Sequence, residues 1–291
     1  GELVRKGAHV AICGRTPESL QRAEQALQGL GAPILADICD VRDEAQTRTF
    51  LQRVVHELGP IDVLVANAAT IQVGPIEALR PADFSAAMRE TFGSAVNATL
   101  TVLPAMRARG RGTIAIISSV GGKLGVPHLA AYSSAKFAQI GFAEALSAEV
   151  ARDGVRVLTV TPGLMRTGSH IHATFRGQQE RELVWFGGSA TAPLVSIDAD
   201  RAARNIVRAI ARGERYLTFT PAAYLGVWLH DAAPNLWALI ASAAARLLPR
   251  FGEPRVSASS REGAELIESS SSPLVRWLGR RSSPLVTRYG Q

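Results

Sequence analysis

The strongest constraint on this chain is its alternation of short, apolar, β-branched runs with longer stretches of helical periodicity. Ile61-Asp62-Val63-Leu64-Val65-Ala66, Thr113-Ile114-Ala115-Ile116-Ile117-Ser118 and Val155-Arg156-Val157-Leu158-Thr159-Val160 have the length and residue types of strands buried on both faces. That is the environment of a parallel sheet. Parallel neighbours need crossover connections, and the intervening helical stretches supply them. The pattern predicts strands over 9–13, 33–36, 61–66, 113–118, 155–160 and 216–219, and helices over 17–30, 44–58, 81–109, 130–153 and 199–212. Thr16-Pro17 reads as a cap followed by the first helical residue. Gly31 and Gly59-Pro60 read as stops. The expected fold is α/β, a doubly wound parallel sheet with helices on both faces.

Gly1 to Ala8 reads as the end of a helix. In a dinucleotide-binding sheet, a strand and a glycine-rich turn come before that point, and the turn lets the backbone approach a pyrophosphate. The expectation is therefore a Rossmann-like sheet with its first strand and glycine-rich turn absent from this chain, about 25 to 30 residues in all. A gap in mid-sheet predicts lower stability and poor retention of a cofactor. The alternating pattern ends at residue 220. Residues 221–249 form an apolar helical appendage in this reading, with a helix over 235–248, and 250–291 a Ser/Arg-rich tail. That tail is expected to be disordered around Ser269-Ser270-Ser271-Ser272, with a short amphipathic turn near 274–278.

Tyr132 and Lys136 are four residues apart at the start of a helical stretch, so they share one helix face. Ser119 lies thirteen residues before Tyr132, just past an apolar strand. A phenol titrates near pH 10 and is a poor acid–base catalyst at neutrality. An ammonium one turn away favours the phenolate. A serine hydroxyl can hold a substrate oxygen where charge develops. In this arrangement the chain resembles the short-chain dehydrogenase/reductase family, whose tyrosine and lysine are spaced Tyr-x-x-x-Lys with a serine about thirteen residues upstream. The resemblance covers roughly residues 1–220. It implies hydride transfer between a nicotinamide cofactor and an alcohol or carbonyl substrate. Tyr132 would be the acid–base, Lys136 would lower its pKa and bind the nicotinamide ribose, and Ser119 would hold the substrate oxygen.

The resemblance also implies cofactor contacts. Gly14-Arg15 closes the first visible strand. An arginine there suits a 2′-phosphate and leans towards NADP, with NAD possible. Asp40-Val41 resembles an acidic–aliphatic pair beside the adenine, and Asp37 is a competitor for that place. Asn67-Ala68-Ala69 stands where the family commonly has Asn-Asn-Ala-Gly, overlapping it with Ala66 for the first asparagine and Ala69 for the glycine. Pro162-Gly163, with Thr167 four residues on, resembles the turn beneath the nicotinamide. Tyr132 and Lys136 complete the expected cofactor contacts. Thr91 departs from the pattern: many members have an asparagine there, supporting a proton relay through the lysine and a water. Asn97 is six residues further on, on another face of the helix, and is a poor replacement.

The remaining features are less specific. Residues 164–196 break the strand–helix rhythm and hold His170, His172, Phe175, Trp185 and Phe186. In the resembling family this region covers the substrate, so its aromatics point to a hydrophobic alcohol or ketone; packing into the core is an equal alternative. The two histidines lack a third metal ligand, and no metal site is expected. Lys+Arg 32 against Asp+Glu 25 gives a net charge of +7, but no nucleic-acid motif accompanies it and no nucleic-acid partner is expected. Cys13 and Cys39 form no disulfide framework and suit a reducing cytosol. No run reaches transmembrane length. The apolar helix after residue 234 could dock on the domain, join a homo-oligomer interface or lie on a membrane surface. Its low arginine content favours the first two.

Overall fold

The computed structural model describes residues 1–192, 196–249 and 259–289. The chain opens with a 3₁₀ turn over Val4–Lys6, which stops at Gly7 in the left-handed region. β1 (Val10–Gly14), α1 (Pro17–Gln28), β2 (Ile34–Ile38), α2 (Glu44–Leu58) and β3 (Val63–Ala66) then alternate as expected. Asp43 caps α2 by accepting from Gln46 N–H, and Gly59 at φ 90° ends it. After β4 (Gln72–Val73) come α3 (Pro81–Ala87), a π-helical segment over Met88–Gly93, and α4 (Ser94–Ala108). The single long helix expected over 81–109 therefore carries a widened turn in its middle. β5 (Gly112–Ile117), α5 (Ala130–Glu149) and β6 (Val155–Thr161) form the centre of the fold.

The later elements are β7 (Leu164–Arg166), β8 (Thr174–Phe175), α6 (Gln179–Thr191), β9 (Ser196–Asp198), α7 (Ala199–Arg212), β10 (Tyr216–Thr218), α8 (Pro221–Ala232), α9 (Pro234–Ala245), β11 (Arg261–Glu262), α10 (Gly263–Ser269) and α11 (Pro273–Tyr289). The main sheet is wholly parallel, in the order β10-β6-β5-β3. Side chains of β5 alternate between its two faces. Ile114 and Ile116 join a core with Phe50 and Leu51 of α2, Val102 and Met106 of α4, and Leu146 of α5. Ala115 and Ile117 face Ala202, Ala209 and Ile210 of α7. Helices thus cover both faces of a Rossmann-like α/β fold.

β1 and β2 pair in parallel as a separate two-stranded sheet. Among the described residues, β1 pairs only with β2 and β3 only with β5. Between the free edges of β1 and β3 lies a slot of about 930 Å³, walled by apolar residues including Val10, Ile12, Leu51, Val54 and Leu64.

The C-terminal tail differs from its expectation of disorder. Residues 259–289 hold one short strand and two helices. β11 pairs antiparallel with β8. Leu266, Val275 and Leu278 are buried with Val73, Phe175, Leu183 and Phe186. His170 Nε2 and Ser282 Oγ, both buried, meet at 2.5 Å. The serine run is a tight turn, with Ser272 N–H bonded to Ser270 Oγ at 3.0 Å. Three apolar side chains pinned by long-range packing order a segment whose local composition reads as linker. Residues 250–258 of the expected tail lie outside the described residues.

Candidate active site

The site is built where β5 ends. Ser119 follows that strand, and its Oγ accepts from Gly121 N–H at 3.0 Å. The next backbone amide, Val120 N–H, donates to Pro162 C=O at 2.8 Å. This bond ties the loop after β5 to the turn after β6. Across the loop stands the start of α5. A Cβ at Gly121 would come 3.3 Å from Tyr132 Cε1 and 3.5 Å from Ser119 Oγ, so glycine lets the loop approach the tyrosine. A Cβ at Gly122 would lie 2.6 Å from the Lys136 carbonyl oxygen, which forbids any other residue at that backbone position. Ser118 Oγ donates to the same carbonyl at 2.9 Å. Ser119, Tyr132, Lys136, Pro162 and Gly163 are thereby brought to one end of the central strands.

The electrostatics differ from expectation in one respect. Burial pushes the Tyr132 phenol above its ordinary value, while a hydrogen bond with Ser119 acts in the opposite direction. Burial also lowers Lys136 from 10.5 to about 7. The Lys136 Nζ donates to Ile117 C=O at 2.8 Å and Gln139 Oε1 at 3.1 Å, and stands 5.8 Å from the Tyr132 ring centroid. In this arrangement the donors of the lysine are turned to two neutral oxygens.

The expected cofactor residues separate into two groups. Arg15, Asp40, Val41, Asn67 and Ala68 all line the slot between β1 and β3. Arg15, Asn67 and Ala68 are exposed there. Asp37 does not line the slot and pairs with Arg53 at 2.8 Å. Asp40 is held by Arg42: Nε reaches both carboxylate oxygens at 2.8 Å and Nη2 reaches Oδ2 at 2.5 Å. Those hydrogen bonds hold the carboxyl below its ordinary range. Asn97 braces this loop by donating to Val41 C=O at 3.1 Å and Arg42 C=O at 3.2 Å, a structural role far from the lysine. Thr167 lies beyond the Pro162-Gly163 turn, where its Oγ1 accepts from Ser169 N–H at 3.2 Å.

Three residues escaped the sequence reading. Arg42 places a second guanidinium at the slot. Its only local signal was its position after Asp40-Val41. Gln139 contacts Lys136, and a polar residue three positions after the lysine on an otherwise apolar face could have marked it. Glu182, fully buried, accepts from Trp185 Nε1 at 2.7 Å and lies 2.9 Å from His128 Nδ1. The aromatics expected to cover a substrate are largely core: Phe175 and Phe186 are buried, and Trp185 is half-buried. His170 is buried against Ser282 while His172 is exposed, so the two histidines do not converge.

The sequence profile described as short chain dehydrogenase matches residues 1–175. A "Dehydrogenase/reductase SDR family protein 7-like" from Anopheles gambiae is 31% identical over 240 residues, 79% of this chain and 73% of that protein. Among solved structures, a short-chain dehydrogenase from Streptomyces avermitilis superposes with a TM-score of 0.70 at 25% identity, covering 84% of this chain and 92% of the other. A gluconate 5-dehydrogenase from Burkholderia cenocepacia, solved with NADP and tartrate, superposes at 0.53 with 30% identity, covering 56% of this chain and 64% of the other. The parallel sheet, the Ser119–Tyr132–Lys136 constellation at one end of its central strands and these likenesses agree, and the chain belongs to the short-chain dehydrogenase family of oxidoreductases.

Proposed function

We propose that this protein transfers hydride between NADP(H) and a hydrophobic alcohol or ketone. The observation that carries the reading is the convergence of Ser119, Tyr132 and Lys136 beside the Pro162-Gly163 turn, past the same ends of the strands as Arg15 and Asp40 of the slot. The nicotinamide, when bound, supplies the redox step. Ser119 orients the substrate oxygen and Tyr132 gives or takes its proton. Lys136 binds the ribose, and Pro162, Gly163 and Thr167 hold the nicotinamide end. Arg15, Asp40, Val41, Asn67 and Ala68 serve the adenosine end. The substrate is read as hydrophobic from the aromatic residues of the 164–196 region, of which Trp185 is half-buried rather than fully in the core.

The edges of β1 and β3 that face the slot are unpaired among the described residues, its apolar walls suit a further parallel strand, and a glycine-rich turn after such a strand is what cradles a pyrophosphate. Fluorescence titration with NADPH and NADH tests this on the chain as it stands and on a form with a strand–turn–helix unit added before Gly1. The added unit is expected to confer binding, with NADPH favoured roughly tenfold through one charge-assisted contact from Arg15. Equal affinities would remove Arg15 from the 2′-phosphate role. No binding by either form would overturn the cofactor assignment and favour a catalytically inactive member of the fold.

The α8–α9 hairpin is read as a homo-oligomer interface. Tyr224, Leu225, Trp228, Leu236, Leu239, Ile240 and Leu247 are exposed on it. From Pro234 to Ala245 there is no charged side chain. It thus lacks the basic face with which an interfacial helix meets lipid headgroups. Charge depletion with exposed tryptophan and tyrosine fits the centre of a subunit contact. No helix among the described residues is long and apolar enough to cross a membrane. Sedimentation velocity is expected to show a dimer that L239E converts to monomer. A monomer that instead co-sediments with phosphatidylcholine vesicles would move the assignment to a membrane surface.

A further inference from the structure

The buried side of the catalytic helix carries a connection that neither the spacing motif nor the family likeness assigns. Gln139 lies on α5 three residues after Lys136 and is wholly buried. Its amide is satisfied at both ends. Oε1 accepts from Lys136 Nζ at 3.1 Å, and Nε2 donates to the Thr91 carbonyl at 2.9 Å. Thr91 is itself wholly buried, within the π-helical segment over Met88–Gly93. A π turn displaces backbone groups from their α-helical partners, and such turns often occur at functional positions. The Thr91 hydroxyl accepts from Thr70 N–H at 3.3 Å, at the end of the loop that begins with Asn67. One chain of hydrogen bonds thus runs from the slot-lining loop through Thr91 and Gln139 to Lys136, and on to Ile117 at the end of β5.

An ammonium has three donors. Ile117 C=O and Gln139 Oε1 take two of them, which fixes the direction of the third. The groups facing the Lys136 amine are Tyr132 from its own helix, the Ile117 carbonyl from β5 and the Gln139 amide. None is a carboxylate, so its charge rests on neutral oxygens in a buried setting. Losing one of them leaves the cation less supported, and replacing it with a carboxylate does the reverse.

We propose that Gln139 is a positioning residue that aims the Lys136 ammonium and sustains its charge, tethering it to the Thr91 carbonyl. The asparagine expected at position 91 is replaced there by threonine, and the supporting amide comes from the catalytic helix instead. The consequence for catalysis rests on the hydride-transfer reading; the hydrogen-bonded support itself does not.

The chain has three lysines, Lys6, Lys123 and Lys136, so selective labelling gives a simple spectrum. Protein labelled with [ε-¹³C]lysine is titrated by NMR, with Lys136 assigned from its absence in K136R. Q139L is expected to lower the Lys136 midpoint, and Q139E to raise it, by roughly 10- to 100-fold in the acid dissociation constant. Unmoved midpoints in the folded variants would mean that Gln139 only fills the core, and would overturn the proposal. Should either variant misfold, the wild type provides its own test. Below its midpoint the Lys136 ¹⁵Nζ protons are expected to exchange slowly because two acceptors hold them, and rapid exchange would overturn the assignment. In a cofactor-competent form, the limb of the kcat–pH profile is expected to move with the NMR midpoint. The NMR readouts need no turnover, so an absence of hydride transfer defeats the functional reading alone. Normal turnover with an unmoved midpoint defeats this proposal alone.

Discussion

Tyr132→Phe is expected to lower kcat by about 10²- to 10⁴-fold in a cofactor-competent form while leaving NADPH affinity within twofold, as measured by steady-state reduction of a ketone and by fluorescence titration. The substitution removes one oxygen and keeps the ring that packs at the edge of the Leu129–Phe186 cluster. Its effect should therefore fall on proton transfer rather than folding. Ser119 is bonded to the Gly121 amide and shares a hydrogen bond with Tyr132, so it orients an oxygen and is poorly placed to deliver a proton by itself. Burial holds the phenol above its ordinary value, and the hydrogen bond with Ser119 acts against it. Retained turnover in the phenylalanine variant would remove Tyr132 from the acid–base role and leave the fold assignment intact.

Asp83→Asn is expected to destabilise the protein by about 3–5 kcal/mol, read as a lower urea midpoint with an unchanged slope. Asp83 Oδ1 meets Arg176 Nη2 at 2.8 Å with both side chains nearly buried, and its other oxygen accepts from Arg80 N–H at 2.8 Å. The substitution keeps the shape but removes the charge facing the guanidinium. The pair joins α3, which packs against α5 through Ala87, Ala131 and Ala135, to the strand layer at β8. Burial by itself would raise the Asp83 carboxyl. The Arg80 amide, the Gln72 amide and the Arg176 charge together outweigh it and hold the group below its ordinary value of 3.8. A depressed carboxylate contributes stability that is fully present above its unfolded pKa and is lost as pH falls through the folded one. The difference between wild type and D83N should accordingly be full at pH 6 and shrink below about pH 4. A cost under 1 kcal/mol at pH 6 would mean that the ion pair contributes little beyond its packing.

The sequence by itself determined the elements that local chemistry specifies. The helix over 44–58 appears with its expected bounds because Asp43 supplies a cap within three residues and Gly59 supplies a backbone that stops it. The β5 pattern places Ile114 and Ile116 in one core and Ala115 and Ile117 in another, as a period of two dictates. The four-residue step from Tyr132 to Lys136 needs only helical geometry to put both on one face. Long-range contacts decided the rest. Asp37, near the end of β2, is claimed by Arg53 of α2, sixteen residues on. The C-terminal helices are ordered because Leu266, Val275 and Leu278 find an apolar layer far away in sequence. Gln139 has an ordinary place in a helix until the π turn at Thr91 presents a carbonyl to it. Local propensity is a matter of a few residues and their hydrogen bonds, whereas the partner of a buried polar group is chosen by which distant segment arrives beside it. That choice belongs to the tertiary structure alone.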